Sequence, residues 1–221
     1  MYRVILNLCD RRKTMNSNIE QDLKRTMELI SATWRMQTNK YDKTTNFVYK
    51  MKSLDECLAE IERRGADRDY ALHRWYNFMT SVRCEYIFCD FGARHEEDVF
   101  NHDIDIYIDN VPFDVKLTVY PGALLDARPY DLATRSGKDD MIRWYYANQS
   151  QEDRKQLLNR IYVVCDTPSS QANMEMKCNF DLMRERISAY MDEYRRTGFN
   201  EITITDDGKN YLLKSDIVRL N

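Results

Sequence analysis

A mixed α/β fold, with helices packed on a mixed sheet, is what this sequence predicts, and three observations carry the prediction. Residues 103–118 alternate apolar and polar about Asp109-Asn110, the two-residue period of strands with one buried face. Apolar residues recur at helical spacing elsewhere, most clearly at Leu72, Trp75, Phe78, Met79 and Val82. A short apolar run, Ile161-Tyr-Val-Val-Cys165, has the length of a buried strand.

The composition is compatible with that class and excludes several others. A chain of 221 residues can bury a core without a disulfide or a structural metal, and it suits one domain with appendages. The apolar share is ordinary and fifteen Tyr make it aromatic, which argues against general disorder. No apolar run approaches the length of a membrane span and no signal-peptide pattern opens the chain, so a cytoplasmic protein with no membrane partner is expected. None of the six Cys forms a C-x-x-C pair, and His73, His95 and His102 lie outside zinc-ligand spacing. The Cys therefore read as small core residues. A net charge of −3 argues against a protein that coats nucleic acid, but not against an enzyme that meets it through a local basic surface.

In chain order, residues 2–9 could form a short strand, and Ile19, Leu23, Met27, Ile30 and Trp34 mark an amphipathic helix over 18–36. Residues 37–50 read as a loop. Ser53 with Glu56 is a capping box that opens a short helix ended near Gly65. The next helix spans about 69–85. Glu85 continues its apolar stripe, either facing solvent just past the helix end or held as a carboxylate at the core edge. Residues 86–91 read as a strand and 92–102 as a polar loop. Asp109-Asn110 is a hairpin turn, since both residues tolerate positive φ. Residues 122–138 form a long loop, 139–147 a helix, Gln151 to Asn159 another, and 161–165 the buried strand. After a linker at 166–173, a helix runs from about Asn179 to Arg196. The chain closes on a hairpin turning at Asp206-Asp-Gly208. Three segments result: an N-terminal helical part over 1–66, a core over 67–168, and a C-terminal helix and hairpin over 169–221.

The chemistry gathers on the hairpin at 103–116. With a two-residue turn, Asp105 faces Asp114 and Asp103 faces Lys116, and directly opposed residues share a face with Cβ atoms roughly 4.5–5.5 Å apart. Opposed acids repel unless a cation sits among them. Lys116 supplies part of that charge and a divalent cation can supply more, Mg²⁺ suiting oxygen ligands. Removing Asp114 is accordingly expected to relieve repulsion and stabilise the fold slightly.

Asp105-Ile-Tyr-Ile-Asp-Asn-Val-Pro-Phe-Asp114-Val-Lys116 resembles the PD-(D/E)XK, or restriction-endonuclease-like, superfamily, in its compact form with the two acids nine positions apart. The resemblance covers about residues 69–166. It implies an α-β-β-β-α-β core and metal-dependent hydrolysis of nucleic acid, DNA in preference to RNA. Asp105, Asp114 and Lys116 would be catalytic, with Asp105, Asp114 and Glu85 binding Mg²⁺, for which Mn²⁺ can substitute. Gln149 and Lys155 would be auxiliary polar residues, and a homodimer would suit the cutting of both strands. Two departures bear on this. No Pro precedes the first acid, so Asp103 competes with Asp105 for its role, and the second motif carries Asp where Glu is commoner. Two rivals stand beside this reading: an inactive nuclease-fold module binding nucleic acid or a partner protein, and a helical interaction protein with Trp34, Trp75 and Trp144 as packing anchors.

Overall fold

The computed structural model describes residues 18–31, 39–98, 100, 101, 103–148 and 156–221. The strand expected near the N-terminus, Trp34, His102, Gln149, Lys155 and residues 151–155 of an expected helix lie outside them.

Helix α1 (Ile19–Met27) buries Ile19 and Leu23 but stops well short of residue 36. The Glu28 N–H already reaches back to the Arg25 and Thr26 carbonyls. The chain is then drawn toward the next long helix, because the Ser31 N–H and hydroxyl both donate to the Asp69 carboxylate. Residues 39–50, expected as a loop, form α2 (Asn39–Thr45) and a 3₁₀ turn, Asn46–Lys50. Phe47 and Val48 of the turn are buried in the core, while α2 has no apolar stripe of its own. Arg74 ties the two together, donating to the Asp42 carbonyl at 2.8 Å, to Thr45 Oγ1 at 2.6 Å and to the Tyr49 hydroxyl at 2.7 Å. In α3 (Leu54–Arg64) Ser53 accepts from the Glu56 N–H at 3.2 Å, and Gly65 closes the helix at φ 60°.

Helix α4 (Arg68–Asp90) absorbs the strand expected at 86–91. It is buried on most of its circumference, with Tyr76, Cys84, Ile87 and Phe88 all inaccessible. A helix covered on all sides shows no polar face, so its last turns, rich in aromatic and β-branched residues, imitate a strand.

The sheet contains β1 (Arg94–His95), β2 (Ile106–Ile108), β3 (Val111–Val119), β4 (Arg160–Cys165), β5 (Glu201–Asp206) and β6 (Lys209–Leu220), in the order β1-β2-β3-β4-β6-β5. The turn between β2 and β3 has the two residues expected, Asp109 at φ 46° and Asn110 at φ 64°, and it pairs Ile108 with Val111 and Ile106 with Phe113. Strands β3 and β4 are parallel, as are β4 and β6, while the other pairs are antiparallel. The C-terminal hairpin thus extends the sheet through β6.

Helices cover both faces. On one, α4 and α7 (Phe180–Thr197) pack Ile87, Met183 and Ile187 against Val115, Leu117, Ile161 and Val163. On the other, α5 (Arg135–Ala147) packs Met141, Ile142 and Tyr146 against Tyr162, Val164 and Ile217. The expected linker at 166–173 contains the start of a further helix, α6 (Ser170–Met176), capped by Ser169. Residues 156–159, expected as the end of a helix, are irregular. No helix of the described residues is long and apolar enough to cross a membrane.

The start of α5 depends on one glycine. Thr134 caps the helix by accepting from the Gly137 N–H at 3.1 Å, and a Cβ at Gly137 would lie 2.1 Å from the Asp131 carbonyl oxygen. Backbone cannot yield as a side-chain tip can. Gly137→Ala is expected to cost about 3 kcal/mol, read as a lowered midpoint in urea with unchanged slope.

Candidate active site

The candidate site lies where β2 leaves β3. Their pairing ends at Ile106 and Phe113, and Asp105 turns inward at that point. Its N–H donates to the Phe113 carbonyl at 2.9 Å, so two residues of one strand stand against one of the other. Asp105 and Ile106 are consequently both buried, which breaks the alternation read from the sequence. The Asp105 side chain takes the place of the missing strand, its Oδ2 accepting from the Val115 N–H at 2.8 Å.

Asp114 lies one residue back along β3 and is 4 % exposed. Its Oδ1 accepts from Lys116 Nζ at 2.5 Å and its Oδ2 from Arg160 Nε at 2.7 Å. Arg160 opens β4 directly beside Asp114 in the parallel register. Tyr162, two residues on, is the register partner of Lys116, and its buried hydroxyl has no hydrogen-bond partner among the described residues.

The two acids respond oppositely to their surroundings. Burial pushes the Asp105 carboxyl up to about 8, with the charges of Glu85 and Asp114 adding to the effect, and Lys116 and the Val115 N–H only partly offset it. Burial opposes ionisation of Asp114 too, but there Lys116 and Arg160 outweigh it and hold the carboxyl below its usual range. Asp105 therefore holds its proton to higher pH than Asp114 does.

Glu85 comes alongside Asp105, near enough for its charge to raise that carboxyl. It lies within α4, not past its end, and is 5 % exposed. Its Oε2 is 2.9 Å from His95 Nε2, and the His95 ring stacks on Tyr86 at 4.7 Å. The other ring nitrogen, Nδ1, lies 2.8 Å from the Glu96 carbonyl. Asp103, the alternative first acid, stands apart. It is exposed and accepts from Gln156 Nε2 at 2.9 Å, because the ladder stops before it could oppose Lys116.

Two members of this group are absent from the sequence reading. Arg160 looks like a polar residue before an apolar strand, and only the parallel pairing of β3 with β4 brings it to Asp114. His95 sits in a stretch that reads as polar loop. Its contact with Glu85 depends on α4 continuing to Asp90 and the chain then reversing into β1.

The donor chemistry fits one hard cation. Asp105 and Asp114 offer oxygens of the kind Mg²⁺ takes, and the proton forced onto Asp105 by burial and like charge is what a cation would replace. Among the described residues no three His, Cys, Asp or Glu side chains converge as a group able to hold a metal, so water and phosphate oxygens would complete the shell, as Mg²⁺ ordinarily permits. Comparison with family models, with curated proteins and with solved structures returned no match to this chain.

Proposed function

We propose that the chain is a metal-dependent endonuclease with a restriction-endonuclease-like core, hydrolysing phosphodiesters of DNA in preference to RNA. The observation that carries this reading is the meeting of Asp105, just before β2, with Asp114 of the antiparallel neighbour β3, with Lys116 bonded to Asp114. Supporting it, α4, β1, β2, β3, α5 and β4 follow in the α-β-β-β-α-β order, with β3 and β4 parallel.

Asp105 and Asp114 would hold Mg²⁺ or Mn²⁺, with Glu85 beside them. When bound, the cation polarises the phosphodiester and acidifies a water. Lys116 contributes the rest from this chain. Its side chain is 43 % exposed, so its ammonium can leave Asp114 to orient the attacking water and offset charge building on the phosphate. Glu96 steadies the approach to this corner. Its N–H donates to the Asp105 carbonyl at 2.9 Å, and its carboxylate holds the Tyr107 hydroxyl at 2.7 Å and Asn101 at 2.6 Å. Cutting both strands of a duplex calls for two such sites, which a homodimer would supply.

A specific observation favours a second reading, an inactive module of the same fold that binds nucleic acid or a partner protein. Both oxygens of Asp114 already have cations. Purified protein incubated with supercoiled, linear and single-stranded DNA and with RNA separates the two. The enzyme is expected to cut DNA only with Mg²⁺ or Mn²⁺. The same cations should stabilise it against heat, by about 2.7 kcal/mol at a hundred times Kd. Absence of both cleavage and stabilisation assigns the fold to binding alone.

A further inference from the structure

Arg160 is a permanent charge in a fixed place. The Asp114–Arg160 register of the parallel strands sets both backbones, and the two side chains are 5 and 6 % exposed. Beyond the Nε contact with Asp114, the guanidinium donates to Gln156 Oε1 at 3.3 Å and lies 5.5 Å from the centre of the Tyr146 ring. An arginine does not lose its proton in a folded protein, so this charge leaves Asp114 only if a buried side chain swings out. Lys116 differs in both respects. It takes the other oxygen of Asp114, and it sits on a flexible stem that is 43 % exposed.

Asp114 therefore has one oxygen, Oδ1, to offer an incoming cation, and the other is committed. We propose that Arg160 stands in the place of a second metal ion, so that Asp105 and Asp114 take one divalent cation per chain. The inference rests on the metal-dependent reading of the site and specifies its stoichiometry. Charge balance points the same way. With Asp105 ionised on cation binding, Glu85, Asp105 and Asp114 set against Lys116 and Arg160 leave a single negative charge even before the His95 ring beside Glu85 is counted, so one divalent ion already exceeds it. A second ion would leave a large positive excess in a place mostly closed to water.

Mn²⁺ titrated into the intact chain, followed by calorimetry and by the electron paramagnetic resonance signal of the free ion, tests this without any turnover. The wild type is expected to bind one Mn²⁺ per chain. Arg160→Met should admit a second ion, or bind the first about tenfold more tightly, since a like charge has gone and an oxygen is released. Arg160→Lys, which keeps the charge, should stay at one. Two ions in the wild type, or an Arg160→Met variant that titrates like the wild type, overturns the inference while leaving the metal-dependent reading intact. A wild type that binds no Mn²⁺ at millimolar concentration overturns both. The wild-type count decides the matter even if Arg160→Met fails to fold.

Discussion

Lys116→Ala is expected to abolish cleavage while leaving cation binding nearly intact, and Asp114→Ala to abolish both. The difference follows from what each side chain touches. Lys116 lends charge to Asp114 Oδ1 from a partly exposed position, so its loss deprives the attacking water and the phosphate of a cation without opening the core. Loss of such an electrostatic partner costs about a hundred- to thousand-fold in rate. Asp114 anchors both Lys116 and the buried Arg160. The repulsion read from the hairpin alone makes its removal slightly stabilising, and Arg160 reverses that sign. Without Asp114 the guanidinium would be a buried charge with no counterion, a loss of about 3–5 kcal/mol. Thermal unfolding should therefore drop by about 10 °C in Asp114→Ala and barely move in Lys116→Ala. Single-turnover cleavage with saturating Mn²⁺, alongside calorimetry of Mn²⁺ binding, separates the two variants. A Lys116→Ala enzyme that cuts at the wild-type rate would remove Lys116 from the mechanism.

The hairpin was the most legible part of the chain because local rules determine it. Alternation of Ile104, Ile106 and Ile108, a turn pair tolerant of positive φ, and alternation again after it leave only one register, the one found. Ser53 and Gly65 were legible for the same reason, as caps act within a few residues. The illegible parts are those where a distant partner supplies what the local pattern lacks. Residues 39–45 take helical form with Arg74 as their organiser. Strand β6 extends to Leu220 through Lys214, Ser215 and Asp216, whose polarity masks a strand that β4 and β5 flank on either side. At the site, the sequence pointed to the correct acids but with the wrong geometry. Asp105 faces inward because β2 gains a residue against Phe113, a backbone event that side-chain alternation does not register. Arg160 was invisible because parallel neighbours are far apart in sequence, here by forty-six residues.

The protonated Asp105 makes a prediction that does not require catalysis. Burial and the neighbouring charges push this carboxyl up to about 8 in the folded chain, against roughly 3.9 when unfolded. Between those values the folded state holds a proton that the unfolded state has released, so unfolding is favoured as pH rises. The contribution is fully present below pH 4 and is lost progressively as pH rises to about 8. Asp114, held below its usual range, acts in the opposite sense. Its stabilisation is present at neutral pH and is lost only as pH falls below about 4. Asp105→Asn copies the protonated acid. Its amide oxygen can still accept from the Val115 N–H, and its NH₂ can face Asp114 as the carboxyl proton does. Urea unfolding of the metal-free protein from pH 4 to 9 should therefore show wild-type stability declining from about pH 4 to about pH 8 and then levelling, and the Asn variant holding level, with the Asn variant the more stable at pH 8. Saturating Mg²⁺ should narrow the gap by stabilising only the wild type, because the cation takes over the proton's task at Asp105 and gains little from a neutral amide. Parallel profiles for the two proteins would mean that Asp105 ionises normally, leaving no unmet charge in the site for a cation to answer.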